Sequence, residues 1–352
     1  MKSLVQFVLG VLLFSPAIFS TQAAFTSLYV FGDGVSTTTN SPGGALFYGK
    51  RYCNGRVWVE VLAQWQGLNY ESNKNRSGFE NYSTTLLTTL NSFAPPADAT
   101  TALFVVWVAN ADFVYDIQNY SPYTTNNIAI WNTAINQSLT NHVRAITNLY
   151  AKGTRALILP TAADISKISP AYPGLTAAEK SFIRQRIISF NAAYTNIVNN
   201  LLPSLPNLKV YYPDTLTLLD NVLAQPLSYG FTNVGSALDA GHTSFTGPGT
   251  NYVFWDYLHP TAKMQMMIAD ITQQLLSPVS ISNISAFPGS NRLDAVNVPV
   301  GRNGVVMGST NFVNWSNDQT FNSTNQTQSL FVPVNGDARY YRLRFPFAWT
   351  WP

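Results

Sequence analysis

The chain has 352 residues, of which 46% are hydrophobic and 11% are charged, so it can bury a sizeable core and is too apolar to be disordered. Its 20 Lys and Arg residues against 17 Asp and Glu residues give a formal charge of +3, and no dense basic run is present. This balance gives no electrostatic reason for a nucleic-acid partner, and a neutral or weakly polar small molecule suits it better.

The N-terminal segment, 1–24, has the pattern of a secretory signal. Lys2 precedes an apolar stretch over 4–19, and a small-residue end follows at Ala23. An uncleaved membrane anchor is the alternative, but the apolar run is short for a span of about 20 residues. With Cys53 as the only cysteine, no intramolecular disulfide can form. We therefore expect a monomeric protein that is secreted or held in the periplasm or cell envelope by bacterial-type export.

The next part of the chain alternates strand and helix patterns. Four short apolar runs have the composition of strands buried on both faces, and they lie at 27–31, 103–108, 156–159 and 208–212. Apolar residues recur at three- and four-residue steps over 132–150 and 177–202, which predicts helices, and a further helix follows His259 and ends near Leu276. This alternation indicates a parallel sheet covered on both sides, a three-layer α/β/α domain over 25–278.

The composition changes after Pro278. The segment 279–352 is dominated by Asn, Ser, Thr, Gly and Val, with alternating apolar residues and turn signals. This pattern predicts a small all-β sandwich as a separate domain. Attachment of the protein to a surface is one role that such a tail would have.

Four segments of the α/β region carry the residues that suggest chemistry. They read Phe31-Gly32-Asp33-Gly34-Val35-Ser36, Asn54-Gly55-Arg56-Val57-Trp58, Val106-Trp107-Val108-Ala109-Asn110-Ala111-Asp112 and Phe254-Trp255-Asp256-Tyr257-Leu258-His259-Pro260-Thr261. In order and spacing, over roughly 25–276, they resemble the blocks of the SGNH (GDSL) ester hydrolases, which include lipases and esterases. The resemblance implies a flavodoxin-like parallel sheet and hydrolysis of a carboxylic ester on an acylated lipid or glycan.

The resemblance also implies a set of site residues. Asp256 and His259 match the family's catalytic aspartate and histidine, the histidine taking the proton of the nucleophile and the aspartate orienting its ring. Gly34 and Gly55 match backbone donors to the reaction oxyanion. Asp33 lies in the same loop as Gly34 and would line the site. The simpler interpretation is that its side chain fixes the turn through hydrogen bonds to its own backbone.

Two residues of the family pattern are absent. Gly34 stands at the position of the serine nucleophile, and Ala111 stands at the position of the asparagine that holds the oxyanion, with Asn110 just before it. Three replacements for the nucleophile remain open. They are the hydroxyl of Ser36, the thiol of Cys53, and a water molecule activated by the Asp256–His259 pair.

The absences also leave a second function open, a catalytically inactive relative that binds a glycan or an acylated ligand in the former active-site cleft. A turn or helix-cap role for Ser36, and a buried apolar role for Cys53, are the structural alternatives to catalysis. The three histidines, His142, His242 and His259, have no metal-ligand spacing with a carboxylate cluster, and no glycine-rich phosphate loop follows a strand. No metal or cofactor is predicted.

Overall fold

A computed structural model describes residues 25–39, 46–168, 170–239, 241–245, 249–334 and 339–345. The predicted secretory segment, 1–24, lies outside the described residues. The helices are α1 (Trp58–Trp65), α2 (Ser83–Ser92), α3 (Ala109–Asn119), α4 (Ile128–Ala151), α5 (Ala177–Leu201), α6 (Thr215–Ala224) and α7 (Ala262–Leu276). The strands of the α/β region are β1 (Leu28–Gly32), β2 (Leu103–Trp107), β3 (Ala156–Ile158), β4 (Lys209–Tyr211), β5 (Asn233–Ser236) and β6 (Tyr252–Phe254).

The main sheet is parallel, with the strand order β1-β2-β3-β4. Every residue of β1, β2 and β3 is buried, as their apolar runs predict. The outer edge of β1 is covered by the segment 75–78, where the backbone N–H of Arg76 donates to the carbonyl oxygen of Val30 at 2.8 Å. Strands β5 and β6 form a separate parallel pair, and β6 leads into the loop that carries Asp256 and His259.

The helices pack in two groups, α1 with α7, and α2 and α5 with α4, so that the sheet lies between helical layers. Helix α5 begins at the predicted residue because Thr176 and Glu179 form a reciprocal capping box. Helix α4 begins at Ile128, four residues before the start that its periodicity indicated. The three-layer α/β/α class is confirmed.

One predicted burial pattern is wrong. The run 208–212 was expected to be buried on both faces, but Lys209 is exposed and Val210 and Tyr211 are half-buried. The strand that they form, β4, is the last in the sheet and pairs with β3 alone. An apolar run predicts that a segment forms a strand, but it does not show whether that strand lies in the middle or at the edge of the sheet.

The C-terminal part is a small β-rich region, as predicted. Its strands are β7 (Ser280–Phe287), β8 (Ser290–Val296), β9 (Asn303–Ser309), β10 (Ser316–Asn322), β11 (Thr327–Pro333) and β12 (Tyr340–Arg344). They form two antiparallel sheets, β11-β8-β7 and β10-β9-β12. Leu293 and Leu330 of the first sheet share a core with Val306 and Phe321 of the second.

This β region contacts the C-terminal halves of α1 and α7. Arg302 pairs with Asp270 of α7 at 2.9 Å and lies over the ring of Trp65 at the end of α1, 4.8 Å from its centroid. Helix α1 begins just after Gly55 and α7 just after His259, so the β region packs against the ends of these helices that lie away from those residues. None of the helices in the described ranges is long and apolar enough to cross a membrane.

Candidate functional site

The candidate site forms where the carboxyl ends of β1 and β2 meet the loop between β6 and α7. Gly34 follows β1, and the backbone N–H of Asp33 donates to the carbonyl oxygen of Trp107 at the end of β2, at 3.0 Å. The β6–α7 loop brings Asp256 and His259 to the same place. The carboxyl edge of a parallel sheet is where α/β proteins hold their ligands, because strand ends from distant parts of the chain converge there.

Asp256 and His259 form a buried pair, 1% and 3% exposed. Nδ1 of His259 lies 2.8 Å from Oδ2 and 3.0 Å from Oδ1 of Asp256. The backbone N–H groups of Leu258 and His259 donate to Oδ1, at 2.8 and 2.6 Å. Burial alone would raise the pKa of Asp256, but the charge of His259 and these hydrogen bonds hold it below its usual value. The ionised carboxylate therefore accepts the Nδ1 proton, and Nε2 is the ring nitrogen that faces away from Asp256 toward Gly34.

Two aromatic rings hold the imidazole of His259. The ring of Tyr52 stacks on it at a centroid distance of 4.5 Å and an interplanar angle of 17°, and Phe79 lies 6.0 Å away at 53°. Together with the Asp256 carboxylate, these contacts fix both the plane of the ring and its rotation. Neither Tyr52 nor Phe79 was predicted as a site residue, because nothing in their local sequence distinguishes them from core aromatics.

The imidazole of His259 occupies the space beside Gly34. A Cβ atom added to Gly34 would lie closer than 3.0 Å to Nε2, a separation that real Cβ atoms essentially never show, and 3.3 Å from Cδ2. Nε2 therefore points at the position from which a side chain of residue 34 would begin. Nε2 of His259 thus faces the position at which the resemblance places the serine nucleophile. Gly34 has no side-chain atom there for the imidazole to activate.

Ser36 and Cys53, the two possible replacement nucleophiles, are both fully buried. Oγ of Ser36 accepts a hydrogen bond from Nε1 of Trp58 at 3.0 Å. Sγ of Cys53 faces Oδ1 of Asn54 at 3.6 Å, and burial raises the pKa of this thiol to about 12. In the part of the chain that the structure describes, neither group has a hydrogen bond to His259. This geometry favours their structural roles.

The predicted set of oxyanion donors lacks one member, because Ala111 has no polar side chain. Gly55 is buried, and Ala111 lines the cleft beside Gly34. The side-chain oxygen of Asn110 accepts the backbone N–H of Ala163 at 2.9 Å, which ties the start of α3 to the loop after β3. This bond leaves the amide N–H group of Asn110 as the remaining side-chain donor at this edge.

Asp33 has one oxygen engaged and one without a partner. It is 3% exposed, and its Oδ1 accepts the backbone N–H of Val35 at 3.0 Å. Oδ2 is buried with no hydrogen-bond partner in the described chain, and Asp33 lines the cleft. Burial raises the pKa of Asp33 to about 6, against the opposing effects of the backbone N–H groups of Val35 and Ala111 and the charge of His259. The side chain both fixes the turn and presents a carboxyl oxygen to the site.

A cleft of about 100 Å³ leads away from Gly34 and His259. Its lining is mainly apolar, with Val35, Phe79, Trp107, Val114, Ile165, Ile168, Leu218, Leu219, Phe254, Leu258, Met264 and Ile268 among the residues that form it. Its polar lining residues are Asp33, Asn110 and His259 together with Glu80, Gln118 and Thr215. Within the described ranges, no group of three or more His, Cys, Asp or Glu side chains is placed to hold a metal ion.

The chain is similar to known proteins across its α/β region. The profile of the family described as GDSL-like Lipase/Acylhydrolase matches residues 28–272. Among curated proteins of Arabidopsis thaliana, GDSL esterase/lipase At1g71691 is 24% identical over 310 residues, which covers 69% of this chain and 80% of that protein. GDSL esterase/lipase At1g73610 is 25% identical over 319 residues, with 74% and 90% covered.

The chain also has distant similarity to solved structures. The acetylxylan esterase Axe2 from Geobacillus stearothermophilus has a TM-score of 0.40 and 12% identity, covering 70% of this chain and 91% of that one. The gut microbial diltiazem-metabolizing enzyme BT4096 also has a TM-score of 0.40, with 11% identity and coverages of 79% and 57%. Because the matched range 28–272 takes in all four sequence blocks, the resemblance is confirmed and the chain belongs to the GDSL-like lipase/acylhydrolase family.

Proposed function

We propose that the protein is an exported ester hydrolase that cleaves a carboxylic ester of an acylated lipid or glycan by direct attack of water. The observation that carries this proposal is the Asp256–His259 pair. Its carboxylate is ionised and hydrogen-bonded to Nδ1, while Nε2 faces Gly34 in a cleft with a mainly apolar lining. The apolar lining suits an acyl group, and the polar groups beside Gly34 suit the ester carbonyl.

In the proposed reaction, Nε2 of His259 takes a proton from a water molecule as its oxygen attacks the carbonyl carbon. The carbonyl π bond opens to an oxyanion, which the backbone N–H groups of Gly34 and Gly55 and the amide of Asn110 would stabilise. The oxyanion then collapses and breaks the bond to the alcohol oxygen. That oxygen leaves with the proton from His259, and the products are a carboxylic acid and an alcohol.

This route forms no acyl-enzyme and is slow. In serine hydrolases, loss of the nucleophile costs on the order of a million-fold in turnover and leaves about a thousand-fold over the uncatalysed reaction from binding and oxyanion donors. We therefore expect activity on reactive esters at rates far below those of family members that have the serine.

A second candidate is a catalytically silent relative that binds an acylated ligand or a glycan in the same cleft. Two observations favour it. The ring of His259 lies in the space beside Gly34 where a nucleophile would stand, and Ala111 removes one oxyanion donor. In this case the apolar cleft would retain a ligand without turning it over.

The test is hydrolysis of short-chain nitrophenyl esters by the purified mature protein and by His259→Ala. The matched control is His242→Asn, which removes an imidazole outside the cleft lining. Single-phase product release that is lost in His259→Ala and kept in His242→Asn supports the water mechanism. A burst of nitrophenol equal to the protein concentration would show an acyl-enzyme and overturn it, and equal rates for all three proteins would leave the binding role.

Export is part of the proposal and has its own measurement. Expression of the full chain followed by N-terminal sequencing of the secreted protein should give a start near Ala24 or Phe25. Retention of the entire segment 1–24 in a membrane fraction would instead support the uncleaved anchor. Light scattering on the mature protein is expected to give the mass of a monomer.

A further inference from the structure

A second pocket lies beside the candidate site, between the start of α2, helix α3 and helix α4. Its volume is about 310 Å³. Three tyrosines and two aspartates define it, and we call it the tyrosine pocket: Tyr82, Tyr115, Tyr120, Asp112 and Asp116. The rest of its lining is neutral, from serine, threonine, alanine and glutamine side chains. Tyr82 also lines the cleft beside Gly34, so the two cavities share a wall.

The two aspartates of the tyrosine pocket differ in their bonding. Asp112 is fully engaged, since its Oδ1 accepts the backbone N–H of Ser83 at 2.9 Å and its Oδ2 accepts the hydroxyl of Ser138 at 2.5 Å. Asp116, one helical turn later, is only 6% exposed and lines the pocket, and its carboxylate accepts no hydrogen bond from any residue that the structure describes. An unpaired buried carboxylate is costly, so this position favours a bound positive charge or a proton.

The protonation of Asp116 agrees with its surroundings. Burial and, secondarily, the charge of Asp112 raise the pKa of Asp116 to about 7. Near neutral pH, its carboxylate is therefore held short of full ionisation. A cation placed against it would favour the ionised form.

The tyrosine rings provide the other half of a cation site. Tyr82 and Tyr115 meet at a centroid distance of 5.3 Å and an angle of 66°, and Tyr115 and Tyr120 meet at 6.1 Å and 82°. Both pairs are edge-to-face contacts, and all three rings line the same pocket. The faces of aromatic rings carry negative charge density and attract cations, most strongly where water is excluded.

The donor set suits an organic cation better than a metal ion. Divalent calcium takes six to eight oxygen ligands. In this pocket both oxygens of Asp112 already accept hydrogen bonds, so Asp116 supplies the only carboxylate without a partner among the described lining residues. A methylated ammonium group, by contrast, needs ring faces and one nearby negative charge.

We propose that the tyrosine pocket binds an alkylammonium group, with the rings of Tyr82, Tyr115 and Tyr120 against its methyl groups and Asp116 as its counter-ion. Tyr82 lines both cavities, so a ligand that passes over its ring from the tyrosine pocket would contact the cleft as well. Where the proposed hydrolase function holds, on which this extension rests, the substrate is an ester that carries an alkylammonium group on its alcohol part. The ammonium site itself does not depend on catalysis.

The first experiment measures binding by calorimetry, with choline and tetramethylammonium as probes. The neutral control is 3,3-dimethylbutan-1-ol, which has the shape of choline without its charge. We expect both cations to bind and the alcohol to bind at least about tenfold more weakly. Asp116→Asn and Tyr115→Leu should each weaken choline binding on the order of tenfold. Glu71→Gln removes the same charge from an exposed ion pair with Lys74 and should leave the affinity unchanged.

Several outcomes would overturn the ammonium site. They are no choline binding by folded wild-type protein, equal binding of the neutral alcohol, and unchanged affinity in both pocket variants. Calcium binding that competes with choline and is lost in Asp116→Asn would assign the pocket to a metal instead. Tyr115 is 42% exposed, so Tyr115→Leu is expected to fold and keeps the test decisive even where Asp116→Asn is unstable.

The second experiment compares hydrolysis of acetylcholine with that of 3,3-dimethylbutyl acetate. A higher kcat/KM for acetylcholine, with the ratio falling toward one in Asp116→Asn, supports the extension to substrate class. Hydrolysis of both esters at equal rates refutes the extension. Choline binding without hydrolysis of either ester would leave the ammonium site intact and count against the proposed hydrolase function alone.

Discussion

The contact between Gly34 and His259 makes a specific prediction for Gly34→Ser and Gly34→Ala. The Cβ atom of either variant would lie closer than 3.0 Å to Nε2. The imidazole must therefore withdraw by about 1 Å to reach an ordinary van der Waals separation. Such a shift would cost little for an unrestrained side chain. His259, however, is hydrogen-bonded to both carboxylate oxygens of Asp256 and stacked on Tyr52.

The expected cost follows from overpacking. Forcing an extra carbon into a well-packed site costs about 1–3 kcal/mol. Replacing glycine by alanine restricts the unfolded chain and returns about 0.4–1 kcal/mol. We expect Gly34→Ala to lower the free energy of unfolding by about 1–2 kcal/mol. Gly34→Ser should be destabilised less, because its hydroxyl can donate to Nε2 once the ring has moved, for a net gain of about 1 kcal/mol.

The matched control is Gly174→Ala, where an added Cβ meets nothing within 4 Å. Urea unfolding of the three variants and the wild type gives the stability differences. Proton NMR of the Nδ1–H group reports whether the Asp256 bond is disturbed. Gly34→Ala that is as stable as Gly174→Ala, with an unchanged Nδ1–H signal, would refute the tight packing of the His259 ring against Gly34. Ester hydrolysis of Gly34→Ser at the rate of a serine-containing relative would show that the ring makes room freely.

Two further predictions concern buried groups of the site. Cys53 should resist Ellman's reagent in the native protein at pH 8 and react fully in denaturant. The reason is that it has no exposed surface and that burial raises its pKa to about 12. Rapid labelling of the native protein with loss of esterase activity would instead identify Cys53 as an accessible nucleophile. For Asp33, burial raises the pKa to about 6 from 3.8, so the folded state binds more protons than the unfolded state between these values. The stability contributed by protonated Asp33 is then lost as pH rises through this window, by about 3 kcal/mol. Unfolded Asp33 is already more than half ionised at pH 4, so urea unfolding at pH 4 and pH 7 should show the wild type losing about 2 kcal/mol relative to Asp33→Asn. A pH-independent difference would contradict the raised pKa.

The sequence by itself determined the class of fold and the family. Apolar runs at 27–31, 103–108 and 156–159 predict buried strands because a strand covered by helices has no polar face to show. The three-residue spacing of Asp256 and His259, and the glycine at residue 34, can likewise be read from the chain alone. These features are local, so periodicity and motif order suffice to find them.

The tertiary structure alone decided what the side chains do. Ser36 is held by Trp58, Asn110 by Ala163, and the ring of His259 lies against Gly34, all through contacts between distant parts of the chain. No local pattern encodes them, because the direction of a loop side chain depends on which elements pack beside it. The tyrosine pocket is a further case, since Asp112 and Asp116 look alike in sequence. They differ only because α2 and α4 supply hydrogen-bond donors to one carboxylate and leave the other without any from the described residues.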